Sequence, residues 1–190
     1  MEDERILELV RRSLKSLFQK DSFLILNDVS ERCVAHKFAV YLQERFQEYR
    51  YVVDCEYNND NAWGKKLKSE KMRKHFNGHL FTPDIIVHRR TELGNLTNEH
   101  NICIFELKLS TNKDTDGKAK DIANLEFATV YEEGTLAYQL GFNIELWAGD
   151  EAHIANNGIR TDVKLFSVYQ GGHRVFSQEN LNLNIPIKLI

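Results

Sequence analysis

The chain has 190 residues, 42% of them hydrophobic and 28% charged, enough apolar material for one ordinary domain with a core and too much for wholesale disorder. Twenty-five Lys and Arg against 28 Asp and Glu give a formal net charge of −3, which excludes a uniformly basic nucleic-acid coat and leaves room for a local basic patch. Two prolines and ten glycines exclude collagen and Pro- or Gly-rich low complexity.

The three cysteines, Cys33, Cys55 and Cys103, are far apart and form no CxxC pair. An odd, scattered set fits a reducing compartment better than a disulfide framework. No run approaches the roughly 18 apolar residues of a membrane span. The start, Met1-Glu-Asp-Glu-Arg, lacks the basic and apolar stretches of a secretory signal. The expectation is a cytoplasmic protein that does not engage a membrane.

In chain order, Leu7, Val10, Leu14, Leu17 and Phe18 recur at helical spacing and predict a helix over 4–18. The apolar stretch 21–26 is too short to type. Asp28 is placed to cap a second helix reaching about Gln47, with Val34, Ala35, Phe38, Ala39, Leu42 and Phe46 inward. Three strands follow, at 51–57, 84–88 and 101–109. The turn residues Asn58-Asn59-Asp60-Asn61 close the first, and 90–100 reads as a loop. A helix over 116–130 sets Ile122, Leu125 and Thr129 on one side. Strands are predicted at 138–147 and 161–169, with Gly171-Gly172 as a turn. From Leu181 to Ile190 apolar residues alternate strictly. No repeat or linker interrupts the chain, so 1–190 is read as one α/β domain: a central mixed sheet flanked by helices.

The informative residues are Pro83-Asp84 and, 22 positions after Asp84, Glu106-Leu107-Lys108. In a strand, Ile102, Ile104, Glu106 and Lys108 share one face, while Cys103, Phe105, Leu107 and Leu109 share the other. Both faces are apolar as far as Glu106, which predicts a strand buried on both sides. Charges at the end of such a strand are costly unless compensated. Asp84 opens a neighbouring strand, and if the two strands pair, two carboxylates meet. Each raises the other's pKa, and a hard cation relieves the repulsion. Mg²⁺ needs only one or two carboxylates, with waters and phosphate oxygens completing its shell. Lys108 beside it would orient or help deprotonate a water and offset charge on a phosphate. The competing reading makes Glu106 and Lys108 a solvent-facing pair on an edge strand and Asp84 a turn residue.

PDIIVHRR and FELKLS, with Pro83, Asp84, Glu106 and Lys108, resemble the PD-(D/E)XK nuclease superfamily (restriction-endonuclease-like). The similarity covers roughly 28–147, through the order helix, three strands, helix, strand; ERCVAHKFAVYL and VDCEYN resemble uncharacterised bacterial members. The resemblance implies that Asp84, Glu106 and the Leu107 carbonyl bind Mg²⁺ or Mn²⁺ and that Lys108 is the catalytic lysine. It implies nuclease activity on nucleic acid, more readily DNA, and a role in restriction or defence. Specificity would come from loops, a homodimer or a partner protein. A catalytically inactive binding or assembly module with the same fold is the alternative.

Glu31 matches the place where many members of that superfamily carry a further site glutamate. Asp28-x-x-Glu31 also has capping-box spacing, so both roles stand open. Glu56 reads as a solvent-facing strand-end charge and His36 as a satisfied structural histidine. Lys65, Lys66, Lys68, Lys71, Arg73 and Lys74 crowd ahead of Pro83 as a candidate phosphate-contacting arm, extended by His88, Arg89 and Arg90. Trp63 and Phe76 flank that arm as stacking candidates. His75 and His79 have the spacing of a metal pair but lack a third ligand.

Overall fold

The computed structural model describes residues 1–56, 82–90, 100–132, 135–154 and 158–184. The Lys65–Lys74 arm, Trp63, Phe76, His75 and His79 lie outside them, as do 91–99 of the expected loop and 185–190 of the alternating tail.

Helices α1 (Asp3–Lys20), α2 (Ser22–Leu26) and α3 (Glu31–Phe46) lead into strands β1 (Val52–Cys55), β2 (Ile85–His88) and β3 (Asn101–Leu109). Helix α4 (Thr115–Thr129) follows, then β4 (Leu140–Leu146), the short pair β5 (His153–Ile154) and β6 (Gly158–Ile159), β7 (Asp162–Gln170) and β8 (His173–Asn182). Among the described residues the main sheet has six strands in the order β1-β2-β3-β4-β7-β8. Only β3 and β4 pair in parallel, which makes the sheet mixed. The α/β expectation of helices on a central mixed sheet is met. No helix among the described residues is long and apolar enough to cross a membrane.

Burial explains the arrangement. Strand β3 is third of six and buried along both faces except at Lys108, so the edge-strand reading of Glu106 and Lys108 fails. One face packs on α1 and α3, whose apolar stripes carry Leu7, Val10, Leu14, Leu17, Val34, Phe38, Leu42 and Phe46. There Phe38 meets Phe105 edge-on at 5.7 Å, and Phe105 stacks on Phe142 at 4.8 Å. Fully burying each such ring contributes about 1.5–3 kcal/mol. The other face receives α4, through Leu125 and Ala128 against Ile86, Ile104 and Tyr169. Gly141 permits that approach: a Cβ there would stand 3.0 Å from the Thr129 methyl.

Several boundaries differ from expectation. The untyped stretch 21–26 contains α2. Ser30, not Asp28, is the N-cap position of α3; Asp28 has a left-handed backbone (φ 49°) and accepts a hydrogen bond from Thr111 at 2.7 Å. Gly171 and Gly172 form the expected turn, with φ of 59° and 82°. The strand it begins, β8, was not anticipated, because residues 173–180 are mostly polar and exposed. Leu181 and Leu183 are buried, as the alternation implied.

Candidate functional site

The site forms where β2 starts and β3 ends. These strands are antiparallel, with Ile85 opposite Phe105. Extending that register by one residue sets Asp84 against Glu106 on the α4 face. The Leu107 N–H donates to Asp84 Oδ2 at 2.8 Å. Leu107 itself turns its side chain into the core. Glu106 is 4% exposed, and the Asp84 carboxyl bears on it electrostatically. Two carboxylates brought together repel unless a proton or a cation intervenes.

Burial first, and Asp84 and Asp121 second, push Glu106 well above the ordinary carboxylate range. Asp84 is raised too, by burial above all, with the Leu107 N–H and Lys108 pulling the other way. Lys108 shows the opposite balance. Burial disfavours its ammonium, but Asp84, Asp121 and Glu106 outweigh that and hold its pKa above the ordinary lysine range. Its Nζ lies 3.0 Å from Asp121 Oδ2 and 3.9 Å from both Asp84 Oδ2 and Glu31 Oε2.

Glu31 is brought to the site rather than kept at its helix end. Its Oε1 accepts the Leu109 N–H at 3.1 Å and Asn112 Nδ2 at 2.9 Å. This contact ties the start of α3 to the end of β3, and no side-chain cap bond forms at Ser30. The capping-box alternative for Glu31 is therefore set aside.

Asp121 is the residue that sequence reasoning missed. It sits on α4, four residues before the buried Leu125 and hence on the same helix face. Its Oδ2 is buried and accepts no well-directed hydrogen bond, which leaves Lys108 as its charge partner. An acid on the core-facing stripe of a helix was the available signal. Asp114 starts α4 by accepting the Gly117 N–H at 2.9 Å, and this fixes where Asp121 falls. A Cβ at position 117 would meet Asp114 Oδ2 at 2.5 Å.

Other candidates lie elsewhere. His88 and Arg90 engage Asp54, His88 at 2.8 Å, and Arg89 stacks over Tyr51 at 4.6 Å. They stand at the far end of β2 from Asp84, roughly 13–20 Å away at a strand's rise per residue. The structure therefore does not join Arg89 and Arg90 to the carboxylate cluster. Glu56 is exposed and pairs with Arg32 at 2.7 Å. His36 is exposed on α3, which corrects its reading as a structural histidine.

The donor set at the site is all oxygen, the chemistry of a hard cation rather than zinc. No group of three or more His, Cys, Asp and Glu side chains among the described residues is arranged as a ready cation cage. No protein-family model, curated protein or solved structure matches the chain.

Proposed function

We propose that the chain is a metal-dependent nuclease of the PD-(D/E)XK type, with a restriction-endonuclease-like core over about 28–147, that hydrolyses phosphodiester bonds in nucleic acid. The observation that carries this reading is the meeting of Asp84 and Glu106, two carboxyls set opposite each other by the strand register beside the part-buried Lys108. Such a pair favours a proton between its members or a cation in its place. Asp84, Glu106 and the Leu107 carbonyl would hold Mg²⁺ or Mn²⁺, which needs no third carboxylate. When bound, the ion supplies a polarised water and charge neutralisation at the phosphate.

The chain's own residues do the rest. Lys108, kept cationic by the surrounding acids, acts as a donor: it orients the attacking water and balances charge on the phosphate. Its protonated state fits this role better than that of a general base. Asp121 and Glu31 fix where the ammonium points. Glu31 also holds the Leu109 N–H and Asn112, and so the end of the strand that carries Lys108.

The experiment is incubation with linear, circular and single-stranded DNA and with RNA, in Mg²⁺ or Mn²⁺, beside Lys108→Ala and Asp84→Asn. The reading predicts cleavage that EDTA and both substitutions abolish. Purified protein that cuts none of these substrates, or Lys108→Ala that cuts as well as the wild type, would refute it. The first result would turn attention to a binding module that keeps the fold.

A further inference from the structure

Beside the Lys108 site, Glu145 holds two lysines that take no part in it. Glu145 is the in-register partner of Lys108 across the parallel β3–β4 ladder. Both therefore project from the α4 face, about 5 Å apart between strands. Glu145 Oε1 lies 3.1 Å from Lys118 Nζ and 3.0 Å from Lys164 Nζ.

The two lysines arrive by unrelated routes. Lys118 precedes Asp121 by three residues on α4, so they share a helix face. The helix thus sets its acid against Lys108 and its lysine against Glu145. Lys164 comes by way of an irregularity in β7. Glu145 pairs with Leu165 and Leu146 with Val163, so two residues of β7, Lys164 and Leu165, oppose the single Glu145. A bulge of this kind re-aims a side chain, and here it turns Lys164 toward Glu145. The ammonium also lies 5.1 Å over the ring of Trp147, which donates a hydrogen bond to Asp162 at 3.2 Å.

One ammonium neutralises one carboxylate. Here two converge on it, which leaves a surplus positive charge with both lysine side chains part-exposed, 27% and 30%. The surplus sits one strand from Lys108. A nucleic-acid strand carries a phosphate at every nucleotide, so a strand held at Lys108 brings its next phosphate toward the neighbouring strand of the sheet, where these lysines lie.

We propose that Lys118 and Lys164, spaced by Glu145, form a second phosphate subsite that holds a nucleic-acid strand beside the phosphate being cut. The proposal rests on the nuclease reading and names surface that reading does not use. Glu145 is the spacer that keeps both amines at one point, and Trp147 supports Lys164 from below.

The test is fluorescence anisotropy of a labelled DNA oligomer across a salt series in EDTA, where binding is read without turnover. Cleavage in Mn²⁺ is followed separately. Lys118→Ala and Lys164→Ala should each weaken binding several-fold at low salt and reduce the log–log salt slope by about 0.9. Lys164→Arg should retain wild-type affinity, and Lys15→Ala, on α1, should change nothing. Melting temperature and Mn²⁺ binding should stay at wild-type values. If the alanine variants bind with the wild-type affinity and slope while the wild type cuts nucleic acid, the subsite is refuted and the nuclease reading stands. If the wild type neither binds nor cuts, both fall together.

Discussion

Glu106→Gln should make the metal-free protein more stable, although it removes a residue placed at the centre of the site. Glu106 is almost wholly buried and faces Asp84 and Asp121, while Lys108 returns part of the cost. Two like charges about 4 Å apart repel by about 4 kcal/mol at an effective dielectric constant of 20. The alternative, holding a proton at neutral pH, costs about 1.4 kcal/mol per unit of pKa displacement. With Lys108 offsetting part of this, a neutral amide of the same shape, able to donate to Asp84, should stabilise by about 1–3 kcal/mol. For a chain of this length that is a rise of about 2–12 °C in melting temperature. The assay is thermal unfolding in EDTA at pH 7, repeated at pH 5. At pH 5 the gap should narrow, since the wild type then carries its proton at little cost. A variant that melts at or below the wild type at pH 7 would refute the like-charge account and show Glu106 to be an ordinary satisfied group.

The pH dependence follows from the same pair. Asp84 and Glu106 are both raised in the folded state, so between the ordinary carboxylate range and their raised values the folded chain binds more protons than the unfolded one. Their contribution is full at acid pH and is lost as pH rises through the raised values, so the melting temperature of the wild type relative to Glu106→Gln should fall from pH 5 to pH 8. Asp54, lowered through His88 and Arg90 against the cost of burial, runs the other way; its contribution is lost on acidification and cancels in that difference. Asp121→Asn removes the closest anion to Lys108 and should lower kcat about tenfold with KM unchanged, as expected for a group that acts through Lys108. Restoration of kcat by Asp121→Glu supports that role, and an unchanged kcat in Asp121→Asn contradicts it. Gly141→Ala should cost about 1–3 kcal/mol in denaturant unfolding, because its methyl meets Thr129; an unchanged midpoint would show that α4 shifts freely.

The legible parts of the molecule are those where one physical signal dominates. Strand β3 is readable to its ends because the run Ile102–Phe105, apolar on both faces and continued by Leu107 and Leu109, admits few other structures. The α1 and α3 stripes were readable from helical spacing, and both halves of the Asp84–Glu106 pair from their places at strand ends. Strand β8 was not readable, because it sits at the edge of the sheet with polar residues such as Ser177, Gln178 and Glu179 exposed, and no alternation marks it. Asp121 escaped notice because its role depends on how α4 lies across the sheet, and Gly141 and the Asp114 cap set that through tertiary contact. Glu31 had two local readings, and only its distance to the Leu109 N–H separates them. The Lys118–Glu145–Lys164 group depends on a bulge, a register event with no sequence mark of its own.

The most direct measurement is calorimetric titration of Mn²⁺ into the wild type, Asp84→Asn and Glu106→Gln at pH 7. Saturable binding to the wild type, with protons released as the ion takes their place, and no binding to either variant, is the predicted result. An ion that binds all three equally, or does not bind the wild type at all, would contradict the claim that these two acids form a cation site.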